Sequence, residues 1–309
     1  MTRPAFNCGR ILADRAQDDQ RIWVLDGDLA DSDGAEPFAR AHPDRFIMAG
    51  IAEQAMVTMA AGMSTCGMRP WVFSFAAFLC YRGYDQIRVS VAQTGLPVTL
   101  VGSHSGGCGG INGKSHLALN DIAIMATLPH VEVWAPADSG DTELAVRAIL
   151  SANRPAYIRY PREPLPDLNG VSAVCRWLGP QAEYAMISCG YGTALALRAQ
   201  ERLADAGIPV GIVHCARVHP LPSDQLRELL STVSRSWVVE DHSRRGGLAA
   251  LLTEAGLHTQ EVFAWPPDWP GDFGPAEKLL SLHRLHPTQI AERIASDRLN
   301  RPPSHGQLR

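Results

Sequence analysis

Arg45-Phe46-Ile47-Met48-Ala49, followed directly by Gly50-Ile51-Ala52-Glu53-Gln54-Ala55-Met56-Val57, decides how this chain folds. The first five residues are an apolar run that reads as a buried strand, and Ala55, Met56, Met59, Ala60 and Met63 then recur at helical spacing. Glu53 therefore falls at a strand-to-helix corner. A carboxylate at the start of a helix complements the helix dipole for roughly 0.3–1 kcal/mol, which suffices to explain an isolated glutamate.

The same alternation continues outward in both directions. Ile22 to Leu25 reads as a first strand ending in Asp26-Gly27-Asp28-Leu29-Ala30-Asp31-Ser32. Turn-forming residues after a parallel strand suit either a ligand site or an acidic surface loop. Arg69 to Phe75 is the next strand, and a helix is expected from about Ala76 to Thr94, with Phe75, Phe78 and Tyr81 spaced by three along one side. On spacing alone such a stripe is core packing. The strand Pro97 to Val101 opens into Gly102 to His116, where six of fifteen residues are glycine and histidines stand at 104 and 116. This composition reads as a flexible site loop. A phosphate cradle ending at Gly113-Lys114-Ser115 is excluded because Cys108 occupies the position of its first glycine. Strands Val131 to Trp134 and Ala156 to Tyr160 follow, with Asp138 as the N-cap of the helix between them.

Strands alternating with helices throughout predict an α/β chain of two three-layer, parallel-sheet domains. The first covers residues 1–165, the proline-rich stretch 166–180 is a linker, and the second covers 181–309, with strands at Tyr184 to Ser188, Pro209 to His214 and Ser236 to Glu240. The Gly190-Tyr191-Gly192 turn lacks the third glycine and the acidic partner of a dinucleotide site. A net charge of -4 without a basic run argues against nucleic acid. Seven cysteines without a Cys-x-x-Cys pair fit reduced thiols, and no apolar run approaches a membrane span, so a soluble cytoplasmic protein is expected.

Taken together, Gly50-Ile51-Ala52-Glu53-Gln54, the Phe75, Phe78, Tyr81 spacing, Tyr84-Asp85-Gln86-Ile87-Arg88, the histidines twelve apart, and Glu240-Asp241-His242 with Gly246-Gly247-Leu248 resemble the transketolase group of thiamine-diphosphate enzymes. The resemblance implies a pyrimidine-binding domain followed by a transketolase C-terminal-like domain. It gives Glu53 the hydrogen bond to the cofactor's aminopyrimidine, Phe75, Phe78 and Tyr81 the packing around that ring, and Asp28 a place beside the cofactor. His104 and His116 would contact substrate oxygens and shuttle protons. Ser32, Asn112, Lys114, Arg3 and Arg162 match substrate positions, the two arginines at a phosphate.

The resemblance also implies what must come from elsewhere. The Gly-Asp-Gly and Asn that hold magnesium and the diphosphate in this group have no counterpart; Asp26-Gly27-Asp28 is the nearest fragment and lies in the wrong place. The chain is therefore expected to be one half of a split enzyme that transfers a two-carbon ketol unit. A partner subunit would supply the Mg2+ and diphosphate ligands, and an α2β2 heterotetramer is the expected assembly. Where the group reads Asp-Gly-Pro/Ala-Thr-His, this chain reads Asn112-Gly113-Lys114-Ser115-His116, which puts the usual aldose phosphates in question. Two other readings stay open: a β subunit of a 2-oxo-acid dehydrogenase, and a non-catalytic scaffold completing a partner's interface.

Overall fold

The computed structural model describes residues 4–107, 109–168, 170–268 and 272–300, the side chains of 298–300 apart. Its strands are β1 (Ile22–Asp26), β2 (Phe46–Met48), β3 (Arg69–Phe75), β4 (Thr99–Ser103), β5 (Glu132–Trp134), β6 (Ala156–Arg159), β7 (Cys175–Leu178), β8 (Tyr184–Ser188), β9 (Gly211–Cys215), β10 (Arg217–His219), β11 (Arg235–Ser243) and β12 (Glu261–Trp265). They form two sheets, ordered β10-β5-β6-β4-β3-β1-β2 and β12-β11-β8-β9-β7. β1 to β6 are parallel, so their carboxyl ends share one edge, and the in-register pairs Asp26↔Phe73 and Phe75↔Ser103 bring β1, β3 and β4 to that edge nearly level. This is where an open parallel sheet presents its loops to a ligand.

Central strands such as β3, buried along nearly its whole length, read as continuous apolar runs because both faces are covered by helices. β2 differs from the expectation of a buried strand. It lies at the edge of the sheet, only partly covered, and leaves Met48 49% exposed. The stretch after β3 also differs: Phe78–Arg82 and Ile87–Ala92 wind as π-helical turns around a short α segment at Tyr84–Gln86. The wider π turn advances each residue by a smaller angle than an α turn, so positions three apart no longer share a side.

The halves are knitted together. β7, from the proline-rich stretch, pairs antiparallel with β9, and β10 crosses over to pair antiparallel with β5 of the first sheet. One apolar core contains Leu25, Val72 and Val133 from the first half and Ile187, Val213 and Val238 from the second. Burial on this scale, at roughly 25 cal/mol per Å² of apolar surface, makes the two sheets one packed body. Among the described residues no helix is long and apolar enough to cross a membrane.

Candidate functional site

The sequence-predicted residues emerge from the shared carboxyl edge. Asp28 follows β1 with a left-handed φ of 68° and is exposed. Ser32 sits one turn later, its hydroxyl donating to Asp31 at 3.2 Å. The acidic loop is not all surface: Asp26 and Asp33 are fully buried, and burial raises the pKa of both. One oxygen of each is held by a backbone amide, Leu29 donating to Asp26 at 2.8 Å and Ala35 to Asp33 at 3.1 Å, and the two neighbouring carboxylates disfavour each other's charge.

Glu53 opens the helix Glu53–Thr65 after β2 and is only 1% exposed. A carboxylate that deep must be compensated. Ser74 Oγ from β3 donates to Oε1 at 3.1 Å, and Arg82 Nη1 donates to Oε2 at 2.5 Å. The same guanidinium lies over the Phe78 ring, 4.8 Å from its centroid. A flat group carrying N–H donors, stacked on Phe78 and bonded to Glu53, thus defines the chemistry this corner accepts. Arg82 is 43% exposed in its side chain and has solvent to swing into. Sequence reasoning passed over Arg82, and no spacing rule pointed to it.

Phe75 and Phe78 stack with centroids 5.8 Å apart and planes 19° from parallel. His104 packs on Phe75 at 3.9 Å, and His116 meets Phe78 edge-on at 5.1 Å and Phe75 at 6.3 Å. The two histidines, twelve residues apart in the chain, share one aromatic ledge. Ser103 Oγ lies 3.2 Å from His104 Nδ1 and Ser115 Oγ 3.0 Å from His116 Nδ1, which fixes both rings. Tyr81 is turned elsewhere: its hydroxyl accepts from the Asn120 amide at 3.1 Å, and burial with the nearby Asp121 charge raises its pKa. Asn112 and Lys114 are exposed on the loop between the histidines. Arg162 follows β6, partly buried, and Arg3 lies outside the described residues.

Beneath the ledge is a charged cluster that the sequence reading did not collect. Arg159, at the end of β6 and 2% exposed, donates to Asp121 Oδ2 at 2.8 Å, to Asp121 Oδ1 at 3.2 Å and to the Asp241 carbonyl at 3.1 Å. Tyr157 Oη donates to the same Asp121 carboxylate at 2.7 Å. His242 lies 3.9 Å from Asp121, and burial lowers its pKa to about 4 so that it is neutral near pH 7. A lone arginine inside the apolar run Ala156-Tyr157-Ile158-Arg159-Tyr160 is the signal that could have found this cluster.

The site lies on an open face. Ile51 (75% exposed), Met48, Met59, Tyr81 and Ile111 are exposed apolar side chains on the elements that carry it.

Comparison with known proteins agrees with this geometry. Residues 5–167 match the family described as transketolase, pyrimidine binding domain, and residues 175–290 match transketolase, C-terminal domain. A protein of Methanocaldococcus jannaschii described as a transketolase C-terminal section is 33% identical over 302 residues, 94% of each chain. The 6-deoxy-6-sulfo-D-fructose transketolase subunit of Clostridium sp. (strain MSTE9) is 32% identical over 252 residues, 79% of this chain and 77% of that one. Among solved structures, a split-gene transketolase described as an inactive β4 tetramer superposes with a TM-score of 0.81 at 29% identity, covering 94% of this chain and 96% of that one. The transketolase of Pichia stipitis shares the fold with a TM-score of 0.81 at 22% identity, and this chain spans 46% of its length. With its buried Glu53, its stacked phenylalanines and two sheets matched in order, the chain belongs to the transketolase family, as a split-subunit homologue carrying the pyrimidine-binding and C-terminal domains.

Proposed function

We propose that this chain is the pyrimidine-side subunit of a cytoplasmic, two-component, transketolase-like enzyme that moves a two-carbon ketol unit from a ketose to an aldehyde acceptor. The observation that carries this reading is the convergence of Glu53, the Phe75–Phe78 stack, His104 and His116 at one sheet edge. The transketolase family is thiamine-diphosphate dependent, and that group, when bound, supplies the carbon nucleophile and electron sink that side chains lack. The corner fits its aminopyrimidine: the ring is flat, stacks on phenylalanine and offers an N–H or protonated nitrogen to a carboxylate, as the Arg82 guanidinium does here.

In the assembled enzyme Glu53, oriented by Ser74, would accept the hydrogen bond of the ring once Arg82 has moved toward solvent. A buried carboxylate holds a proton at that nitrogen more firmly than an exposed one, because solvent does not compete. Phe75 and Phe78 would set the ring plane with Asp28 alongside, while Tyr81, turned to the Asn120 amide, stands apart from the stack. His104 and His116 hydrogen-bond the substrate carbonyl and hydroxyl oxygens and pass protons between them. Such positioned acid–base groups contribute typically 100- to 10,000-fold each. Ser32, Asn112, Lys114, Arg162 and Arg3 bind the remainder of the substrate. Lys114, a flexible point charge, supports a substrate with an anionic group, and the Clostridium relative is by name a transketolase of a sulfonated sugar.

The partner subunit covers the apolar face around Ile51 and Met48 and brings the Mg2+ and diphosphate ligands, two copies of each chain completing an α2β2 assembly. Replacement of Glu53 by Gln in the assembled enzyme tests the reading. Turnover is expected to fall about 100-fold or more at saturating cofactor with assembly unchanged. Near-normal turnover would reduce Glu53 to a helix-end carboxylate and remove the basis of the proposal.

A further inference from the structure

The loop from His104 to His116 is built against the second half of the chain, and its glycines mark the contacts. The amide of Gly107 donates to Asp241 Oδ1 at 3.1 Å, and the same oxygen accepts from Trp265 Nε1 at 2.5 Å. Asp241 lies in β11 and Trp265 ends β12, so both reach the loop from the second sheet. A Cβ added at Gly106 would run into the Asp241 carboxylate, at Gly107 into the Trp265 indole, and at Gly110 into Leu279. The Gly274 amide donates to the Gly110 carbonyl at 3.3 Å. At the base of the loop Gly106 and Ala118 exchange backbone hydrogen bonds of 3.0 and 3.3 Å, and Ser243, two residues beyond Asp241, donates to Leu119 at 2.8 Å.

We propose that Asp241, with Trp265, is a positioning residue that sets the His104–His116 loop from the second domain. Asp241 touches no reacting atom. It fixes the Gly107 amide, the bridge at Gly106 fixes the loop's two ends, and the histidines flanking that bridge are thereby held on the Phe75–Phe78 ledge. The second domain is then a component of substrate alignment, which gives it a role in the reaction without a catalytic group of its own. This inference rests on the reading of His104 and His116 as substrate groups.

Two measurements separate the inference from that reading. Hydrogen exchange over residues 104–118 of the chain is compared for wild type, Asp241→Ala, Asp241→Asn and Gly107→Ala. Asparagine keeps an oxygen for both donors, so the loop should exchange at least about 10-fold faster in Asp241→Ala and Gly107→Ala and close to wild type in Asp241→Asn. In the assembled enzyme kcat should fall about 100-fold in Asp241→Ala, the scale for an ångström of misalignment, with thiamine diphosphate affinity nearly unchanged and with rescue by Asn. Gly107→Ala displaces the indole without touching the carboxylate and keeps the test decisive if Asp241→Ala does not fold. Unchanged exchange in the loop would overturn the inference. So would normal turnover in Asp241→Ala and Gly107→Ala when His104→Ala and His116→Ala are inactive. If the histidine variants are themselves fully active, the functional reading fails first and the inference falls with it.

Discussion

Replacing Asp121 by Asn tests the buried ion pair of the first half, from which Arg159 also reaches the Asp241 carbonyl of the second, independently of any catalytic assignment. Arg159 and Asp121 are 2% and 0% exposed, and the guanidinium spends two of its bonds on that one carboxylate. Burial opposes the charge on Arg159, yet the Asp121 and Asp241 carboxylates keep it protonated. His242 carries no charge near neutral pH, so removing the Asp121 charge leaves a buried cation facing only dipoles and the more distant Asp241. Breaking a buried pair from one side costs about 3–5 kcal/mol, a large part of the roughly 5–15 kcal/mol by which a folded chain is stable. For a chain of this size that is a fall in melting temperature of about 5–8 °C. Urea unfolding of Asp121→Asn, Arg159→Met and the double variant Asp121→Leu/Arg159→Met should show the single changes destabilising by several kcal/mol and the double change recovering at least half of their sum. A single variant within about 1 kcal/mol of wild type would refute the argument, because the pair would then be solvated in a way its burial denies.

Acid should also act at a tie between the halves, below about pH 4. Asp141 faces His214 Nε2 at 2.8 Å and Arg176 at 2.5 Å; burial alone would raise its pKa, but these partners outweigh burial and pull it down to about 2. A folded value below the unfolded one of about 3.9 means stability that is complete above pH 4 and lost as the pH falls toward 2, about 2 kcal/mol in all. Unfolding free energy followed from pH 5 to 2 should therefore fall more steeply in wild type than in Asp141→Asn, and parallel curves would contradict this. At the loop, Asn112→Asp should shift the assembled enzyme toward ribose 5-phosphate and Lys114→Ala should weaken anionic acceptors, by about 10-fold or more where a matched polar contact is lost. Competition assays between ribose 5-phosphate and other aldehydes read this directly, and identical preferences in all three proteins would make both residues neutral to specificity.

Much of the fold was legible because apolar runs of five to seven residues separated by amphipathic helices leave few alternatives to parallel sheets. β3 and β8 were bounded to the residue by this pattern. Where it failed, the physics was non-local. Arg217–His219 is three residues long and mostly polar, too short to show a period, and becomes a strand only because β5 offers it an open edge and Arg217 settles against the Trp134 ring. Cys175–Leu178 lies among prolines and is recruited in the same way by β9. β2 was mistaken for a buried strand because an apolar run looks the same at a sheet's centre and at its partly covered edge.

The site divides along the same line. Glu53, Phe75, Phe78, His104 and His116 come together as their spacing and the family resemblance suggest, since each leaves the same edge of one sheet. The third aromatic does not follow, because π-helical turning after Phe78 rotates Tyr81 toward the Asn120 amide. The glycine-rich loop shows why composition alone misleads. Glycine permits flexibility where nothing stands beside the chain, and close packing where something does. At Gly106, Gly107 and Gly110 a carboxylate, an indole and a leucine stand where a Cβ would be, all of them more than 130 residues further along the chain. The six glycines could not distinguish these cases, because the deciding atoms belong to another sheet. A loop that reads as mobile from its own sequence is thus, at its first half, pinned by side chains that only the completed fold delivers.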